Sequence, residues 1–197
     1  MIKVGLTGGI GSGKTIICEI FKHLNVPVFH ADDVAKELYD SDTIVAENLI
    51  KLFGKNIYKQ GKLDRKELGT IIFNDKEALN RVNAIIHPVV IERFKNWMEK
   101  QKNTHYIIHE TAILFEAGLR HLFDKVITVS APEEIRIKRV MNRDFVSESH
   151  VKKILNNQLK EKVKIEGSDY VIANDNKTLV LPKVLKIHND LLKFKNI

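Results

Sequence analysis

A glycine-rich segment near the N-terminus carries the residue types that bind phosphates. Five of the ten glycines lie between Gly5 and Gly13, and residues 8–15 (GGIGSGKT) fit the pattern G-x-x-x-x-G-K-[ST] in full. Glycines let backbone N–H groups approach phosphate oxygens closely. Lys14 would place its ammonium on the β- and γ-phosphates, and the Thr15 hydroxyl would bind Mg²⁺. The segment therefore predicts a nucleoside triphosphate site with magnesium.

The type of nucleotide follows from a missing motif. GTPases also need a guanine-reading N-K-x-D, and the Asn176-Lys177 pair of this chain is followed by Thr178 and Leu179, without the Asp. ATP is therefore the expected nucleotide. The loop residues expected to bind it are Gly9, Ile10, Gly11, Ser12, Gly13, Lys14, Thr15 and Ile16.

A pair of acidic residues, Asp32 and Asp33, follows the apolar segment 27–30. Ligands collect at the carboxyl ends of the strands in open α/β sheets. A carboxylate at this place could accept the proton of an attacking hydroxyl group. The alternative is that either Asp caps a helix that starts near Val34, and position alone does not decide between the two.

Three of the seven arginines, Arg136, Arg139 and Arg143, occur within eight residues. Their spacing places them on one stripe of a helix, and segment 130–133 (SAPE) predicts a capping box at its start. Because guanidinium groups hold phosphate oxygens in a fixed fork, the stripe is expected to close over the nucleotide. The alternative is a solvated helix face with pairs such as Glu133–Arg136 or Arg139–Asp144. In a lid, Arg136 could still pair locally with Glu133, so it is expected to matter less than Arg139.

Strand-like apolar runs and helical patterns alternate along the chain. Helical patterns follow most of the apolar runs, which predicts an α/β fold with a five-stranded parallel sheet and a phosphate loop. Segment 33–103 is mainly helical, with breaks expected at Gly54, Gly61 and His87-Pro88, and it predicts an inserted substrate-facing region. Segment 132–164 is a second helical excursion, the predicted lid. We expect residues 1–197 to form one domain. The predicted strands are residues 2–6, 27–30, 105–109, 125–130 and 169–173.

Composition excludes several classes of protein. A single Cys among 197 residues excludes an internal disulfide and a Cys-rich zinc site. The longest apolar runs are far below the roughly 18 residues of a membrane span, and no secretory signal is visible. The formal net charge is +7, but the 32 Lys and Arg residues are scattered. These features favour a cytoplasmic protein without a membrane or nucleic-acid partner.

In their order along the chain, the motifs resemble those of the dephospho-CoA kinases. The phosphate loop alone is shared by many kinases, whereas the ordered set is much more specific. Two positions depart from the family pattern: His30 replaces the first Asp of D-A-D, and Ala112 replaces the Pro of P-L-L. Asp32, the second Asp of D-A-D, is retained. The segments that carry the resemblance are 6–14, 27–32, 63–65, 79–80, 86–88, 114–116, Arg139, 143–144, Gln158 and 171–174.

The resemblance implies a phosphate-loop kinase with a helical CoA-binding insertion and a lid. Such an enzyme would transfer the γ-phosphoryl group of ATP to the ribose 3′-hydroxyl of dephospho-CoA, giving coenzyme A and ADP. Asp32 would act as the base, with Lys14, Arg139 and Mg²⁺ on Thr15 stabilising the transferring group. Further residues implied at the ATP site are Arg143 and Asn174, and those implied at the acceptor site are Asp32, Arg65, His87 and Glu116.

Two alternatives stay open from the sequence. One is a phosphate-loop kinase for another small nucleotide or hydroxyl acceptor. The other is a nucleotide-switched binding protein, which would need a contiguous basic surface and would turn over very slowly. The oligomeric state is left undetermined.

Overall fold

A computed structural model describes residues 1–194 of the chain, without the side chains of Phe73 and Asn74. The strands are β1 (Ile2–Thr7), β2 (Val28–His30), β3 (Tyr58–Lys59), β4 (Lys62–Leu63), β5 (Tyr106–Glu110), β6 (Lys125–Ser130) and β7 (Tyr170–Ala173). The helices are α1 (Lys14–His23), α2 (Ala31–Ser41), α3 (Thr43–Phe53), α4 (Arg65–Asn74), α5 (Lys76–Glu99), α6 (Glu133–Asp144), α7 (Glu148–Asn156), α8 (Glu161–Glu166) and α9 (Val180–Lys193).

Five strands form one parallel sheet in the order β2-β5-β1-β6-β7, which confirms the predicted sheet. Its strands are apolar nearly throughout because helices cover both faces of such a sheet. Leu6 of β1 lies in register with Glu110 of β5 and with Ile127 of β6. The carboxyl ends of these strands therefore meet at one edge, where the segment after Thr7 begins.

By its internal contacts the chain divides into two compact units. We call Met1–His30 together with the chain from Gln101 onward the sheet unit, and Ala31–Lys100 the helical unit. In the sheet unit, α1 and α9 pack on one another and bury apolar side chains beside the central strands. The buried helix residues of this core are Ile17, Cys18, Phe21, Val184, Ile187 and Leu191.

The helical unit is organised around the long helix α5, which contacts α2, α3 and α4. Its buried residues recur every four positions and form one apolar face: Ala78, Val82, Ile86, Val90 and Phe94. The break expected at His87-Pro88 is wrong, since α5 runs through Pro88. Proline removes one helical hydrogen bond, but burial of Ile86 and Val90 on either side holds the helix together.

The predicted lid segment contains α6, α7 and α8, all of which belong to the sheet unit. α6 and α7 pack on one another through Ile137, Val140 and Val151. None of the helices within residues 1–194 is long and apolar enough to cross a membrane.

Candidate nucleotide site

The phosphate loop connects the end of β1 to the start of α1, as the motif requires. Gly13 caps α1 in the left-handed region, with φ of 95°, and Gly11 has φ of 77°. A side chain at either position would be strained and would also collide with a neighbour, Asn174 at Gly13 or the Arg136 backbone at Gly11. These glycines therefore let the loop keep its shape under the segments that cover it.

Lys14 folds back toward the start of the loop. Its Nζ donates to the Gly8 carbonyl at 3.1 Å and lies 3.8 Å from Oε1 of Glu110. The other oxygen of Glu110 lies 3.1 Å from Nδ1 of His30. The residue that replaces the family's first Asp therefore contacts the acidic residue beside the loop lysine. No local pattern indicates this pairing, because 80 positions separate its two residues.

A cleft of about 190 Å³ opens beside the loop. Thr15 and Ile16 are exposed at its edge, in the first turn of α1, where the helix dipole favours anions. All of the lining residues except Val140 are predicted ATP-binding residues, so the fold brings these candidates together. The lining residues are Gly11, Gly13, Lys14, Thr15, Ile16, Arg139, Val140 and Arg143.

Arg139 joins the phosphate loop to the segment that follows β7. Its Nη1 donates to the carbonyls of Gly11 and Ser12, both at 3.3 Å. Its Nη2 donates to the carbonyl of Asn174 at 3.0 Å and to Oδ1 of Asn176 at 2.5 Å. Asn174 in turn donates its side-chain amide to the Ser12 carbonyl at 2.8 Å. Arg139 and Asn174 thus both support the loop backbone.

The other two arginines of α6 have different surroundings. Arg143 is exposed and forms a two-pronged ion pair with Asp144, which raises the pKa of Arg143 and lowers that of the carboxyl group. Arg136 is buried and lies against Gly9. The expected pair of Arg136 with Glu133 is wrong, because the carboxylate nearest to Arg136 is that of Glu161, at 4.0 Å.

The capping box expected at the start of α6 is also wrong. The N-cap is Pro132, and it makes no side-chain hydrogen bond. Ser130 is the last residue of β6, paired with Ala173 of β7, so its backbone is extended in the sheet and it cannot cap the helix. The segment that leads into α6 is instead held by Glu161, which accepts a hydrogen bond from the Ala131 amide at 3.1 Å.

Glu116 anchors the end of the lid segment. Its Oε1 accepts from the Leu159 amide at 3.0 Å and from Nζ of the buried Lys164 at 2.7 Å. Lys164 also donates to the Ala112 carbonyl at 2.9 Å. Gln158 lies nearby and accepts from the amide of Ile10 at 3.0 Å. Sequence patterns do not identify Lys164 as a site residue, because a lone Lys in a charged helix gives no sign of burial.

The remaining predicted residues belong to the helical unit. Asp32 lies inside the first turn of α2, which begins at Ala31 rather than near Val34, so it does not occupy the N-cap. Nη2 of Arg65 donates to the Lys36 carbonyl and to Asp40, both at 2.9 Å. Nε2 of His87 is buried and has no hydrogen-bond partner among the described residues, and burial lowers the pKa of this histidine.

Magnesium fits the residues of the loop. The described part of the chain contains no cluster of three or more His, Cys, Asp or Glu that could hold a metal ion without other ligands. Mg²⁺ at nucleotide sites usually takes only one or two protein ligands, together with phosphate oxygens and waters. The exposed Thr15 in the first turn of α1 suits that arrangement.

Comparison with known proteins finds relatives that cover most of the chain. Residues 2–179 match the family model for dephospho-CoA kinase. The chain is 38% identical to a dephospho-CoA kinase of Porphyromonas gingivalis over 188 residues, which is 95% of this chain and 93% of the relative. A dephospho-CoA kinase structure from Campylobacter jejuni has a TM-score of 0.69 at 29% identity and covers 97% of both chains. The crystal structure of TT1252 from Thermus thermophilus has a TM-score of 0.87 at 28% identity, with 98% of both chains covered. The chain therefore belongs to the dephospho-CoA kinase family.

Proposed function

We propose that this protein transfers the γ-phosphoryl group of ATP to the ribose 3′-hydroxyl of dephospho-CoA, giving coenzyme A and ADP. The observation that carries the proposal is the phosphate loop, set between β1 and α1 in a chain that matches the family over residues 2–179. In the reaction the 3′-oxygen forms a bond to the γ-phosphorus. The bond from that phosphorus to the β,γ-bridging oxygen breaks, and the hydroxyl proton passes to a base.

On the nucleotide side, the backbone of residues 9–16 would hold the phosphates. Lys14 would meet the β- and γ-phosphates, and Thr15 would hold Mg²⁺, which neutralises charge on the phosphate oxygens when bound. Arg139 lies at the loop and would hold the loop backbone in place when the negatively charged nucleotide binds. Arg143 lines the same cleft. Asn174 supports Ser12 and would lie near the adenine.

On the acceptor side, we propose Asp32 as the base that takes the proton of the 3′-hydroxyl. Arg65 keeps Nε and Nη1 without hydrogen-bond partners among the described residues, so these donors could bind an anionic group of dephospho-CoA. His87 would contribute its unpaired Nε2. Glu116 would help to place the acceptor through the segment that it anchors. With Arg65 and His87 in these roles, we assign CoA binding to segment 33–103 of a cytoplasmic enzyme.

An acceptor panel tests the proposal. ADP release from ATP is measured by a coupled assay with dephospho-CoA, with AMP, and without any acceptor. We expect rapid release with dephospho-CoA only. Faster turnover with AMP would support a nucleotide kinase instead, and an equal slow rate in all three reactions would support a nucleotide-switched binding protein.

A further inference from the structure

Arg136 of α6 is a buried cation whose guanidinium makes no hydrogen bond within the described residues. Its side chain is 9% exposed, and Nε is buried with no hydrogen-bond partner in the part of the chain that the structure describes. Within residues 1–194 its ion-pair contact is with Glu161, at 4.0 Å, which is too long for a hydrogen bond. Leaving buried donors unsatisfied is costly, and more so for a charged group. The arrangement indicates a site prepared for acceptors from a ligand.

The guanidinium lies at the start of the phosphate loop. A side chain at Gly9 would collide with Nη1 of Arg136, so this loop position leaves room for the guanidinium. Lys14 donates to the carbonyl of the adjacent Gly8, which places both cations at the same end of the loop. Since the loop lysine contacts the β- and γ-phosphates, this is the end that faces the terminal phosphate.

Arg136 belongs to a cluster of charged side chains beside the loop. Burial lowers the pKa of Lys164, and the nearby charges of Lys14 and Arg136 lower it further, whereas Glu116 opposes the shift. Lys164 is therefore close enough to both Lys14 and Arg136 to be repelled by them, and the carboxylates beside the three cations are Glu110, Glu116 and Glu161. Each carboxylate has another contact: Glu110 with His30, Glu116 with Lys164 and the Leu159 amide, and Glu161 with the Ala131 amide. Glu161, at 4.0 Å, is too far to accept a hydrogen bond from Arg136, and a terminal phosphate group could accept one.

We propose that Arg136 binds the γ-phosphate of the nucleotide and makes the site prefer a triphosphate over a diphosphate. The contrast with Arg139 supports this role, because both Nη atoms of Arg139 already donate to backbone or side-chain oxygens. The inference rests on the proposed nucleotide site but does not depend on the acceptor.

The test measures nucleotide binding without any acceptor. The affinities of the parent protein and of Arg136→Gln for ATP and ADP are measured by titration calorimetry with Mg²⁺. We expect Arg136→Gln to weaken ATP binding about ten- to a hundredfold, the loss typical of a hydrogen bond between charged groups, and to leave ADP binding unchanged. Lys138→Gln is the matched control, because Lys138 is an exposed cation on the same helix.

Arg136→Lys covers the case in which the Gln variant does not fold. Lysine keeps the charge and most of the apolar stem but loses the forked pair of donors. The affinity for ATP should therefore fall less than in Arg136→Gln, and the affinity for ADP should stay unchanged. An equal loss of affinity for ATP and for ADP in either variant would show that Arg136 only packs against the loop, and would overturn the inference. Unchanged ATP affinity would overturn it as well. A parent protein that binds neither nucleotide would contradict the proposed function itself.

Discussion

The sheet unit and the helical unit hold their candidate residues in different ways. In the sheet unit the backbone of one eight-residue loop provides the site, and Lys14, Arg139 and Asn174 are fixed by hydrogen bonds to that loop. In the helical unit the candidates are single side chains, Asp32, Arg65 and His87, on three different helices. A phosphate site can therefore be encoded by contiguous sequence, whereas an acceptor site built from separate helices forms only when the chain has folded.

The largest effect should come from the sheet unit. Lys14→Ala removes the ammonium that meets the β- and γ-phosphates, so kcat should fall by about 10³-fold or more. Folding should be retained, because Lys14 is not part of the apolar core. Steady-state kinetics and thermal melting check both points, and near-normal turnover would refute the assignment of the phosphate loop.

The next largest effect should come from the start of the helical unit. Asp32→Asn removes the proposed base, and kcat should fall by about 10²–10⁴-fold, the usual contribution of such a group. The affinity for ATP should be unchanged. An acidic residue in the first turn of a helix adds only about 0.3–1 kcal/mol, so the melting temperature should change little. A sharp drop in melting temperature with an undiminished kcat would instead assign Asp32 a structural role in α2.

Arg139 tests whether the loop needs external support. Arg139→Ala removes donors to Gly11, Ser12, Asn174 and Asn176, so both the affinity for ATP and kcat should fall, by about ten- to a hundredfold in all. Arg139→Lys should recover only part of the loss, because lysine cannot form the fork. Calorimetry of both variants checks this, with Asn176→Ala as a milder variant. Unchanged ATP binding in Arg139→Ala would mean that the loop holds its shape without this residue.

The smallest effect should come from Arg65. Arg65→Gln should raise KM for dephospho-CoA by about tenfold and leave kcat and KM for ATP unchanged. Arg81→Gln is the control, because Arg81 is an exposed arginine of the same unit that pairs with Asp75. An identical small change of KM for dephospho-CoA in both variants would show that Arg65 is not part of the acceptor site.

Local signals predicted the parts of this molecule that depend on local chemistry. Alternating apolar strands and helices predicted the five-stranded sheet, and residues 8–15 predicted the phosphate loop. The contacts that join distant segments were missed, because periodicity does not show which side of a helix becomes buried. Arg136 is the clearest case: it shares a stripe with the exposed Arg143, yet packing of α6 on the loop buries it.

The same limit applies to the ion pairs near the site. Glu110 with His30, and Glu116 with Lys164, join residues 80 and 48 positions apart. No pattern in a single sequence identifies such partners. The predicted start of α6 is wrong for a related reason. The local sequence favours Ser130 as a helix cap, whereas sheet pairing keeps Ser130 in β6.

The position of the new phosphate group tests the central claim most directly. The product formed from ATP and dephospho-CoA is examined by phosphorus NMR, beside a reaction with an analogue that lacks only the 3′-hydroxyl. We expect a phosphate monoester at the 3′-position, with the analogue binding as a competitive inhibitor that accepts no phosphate. Phosphate at any other position, or phosphorylation of the analogue, would contradict the proposed reaction.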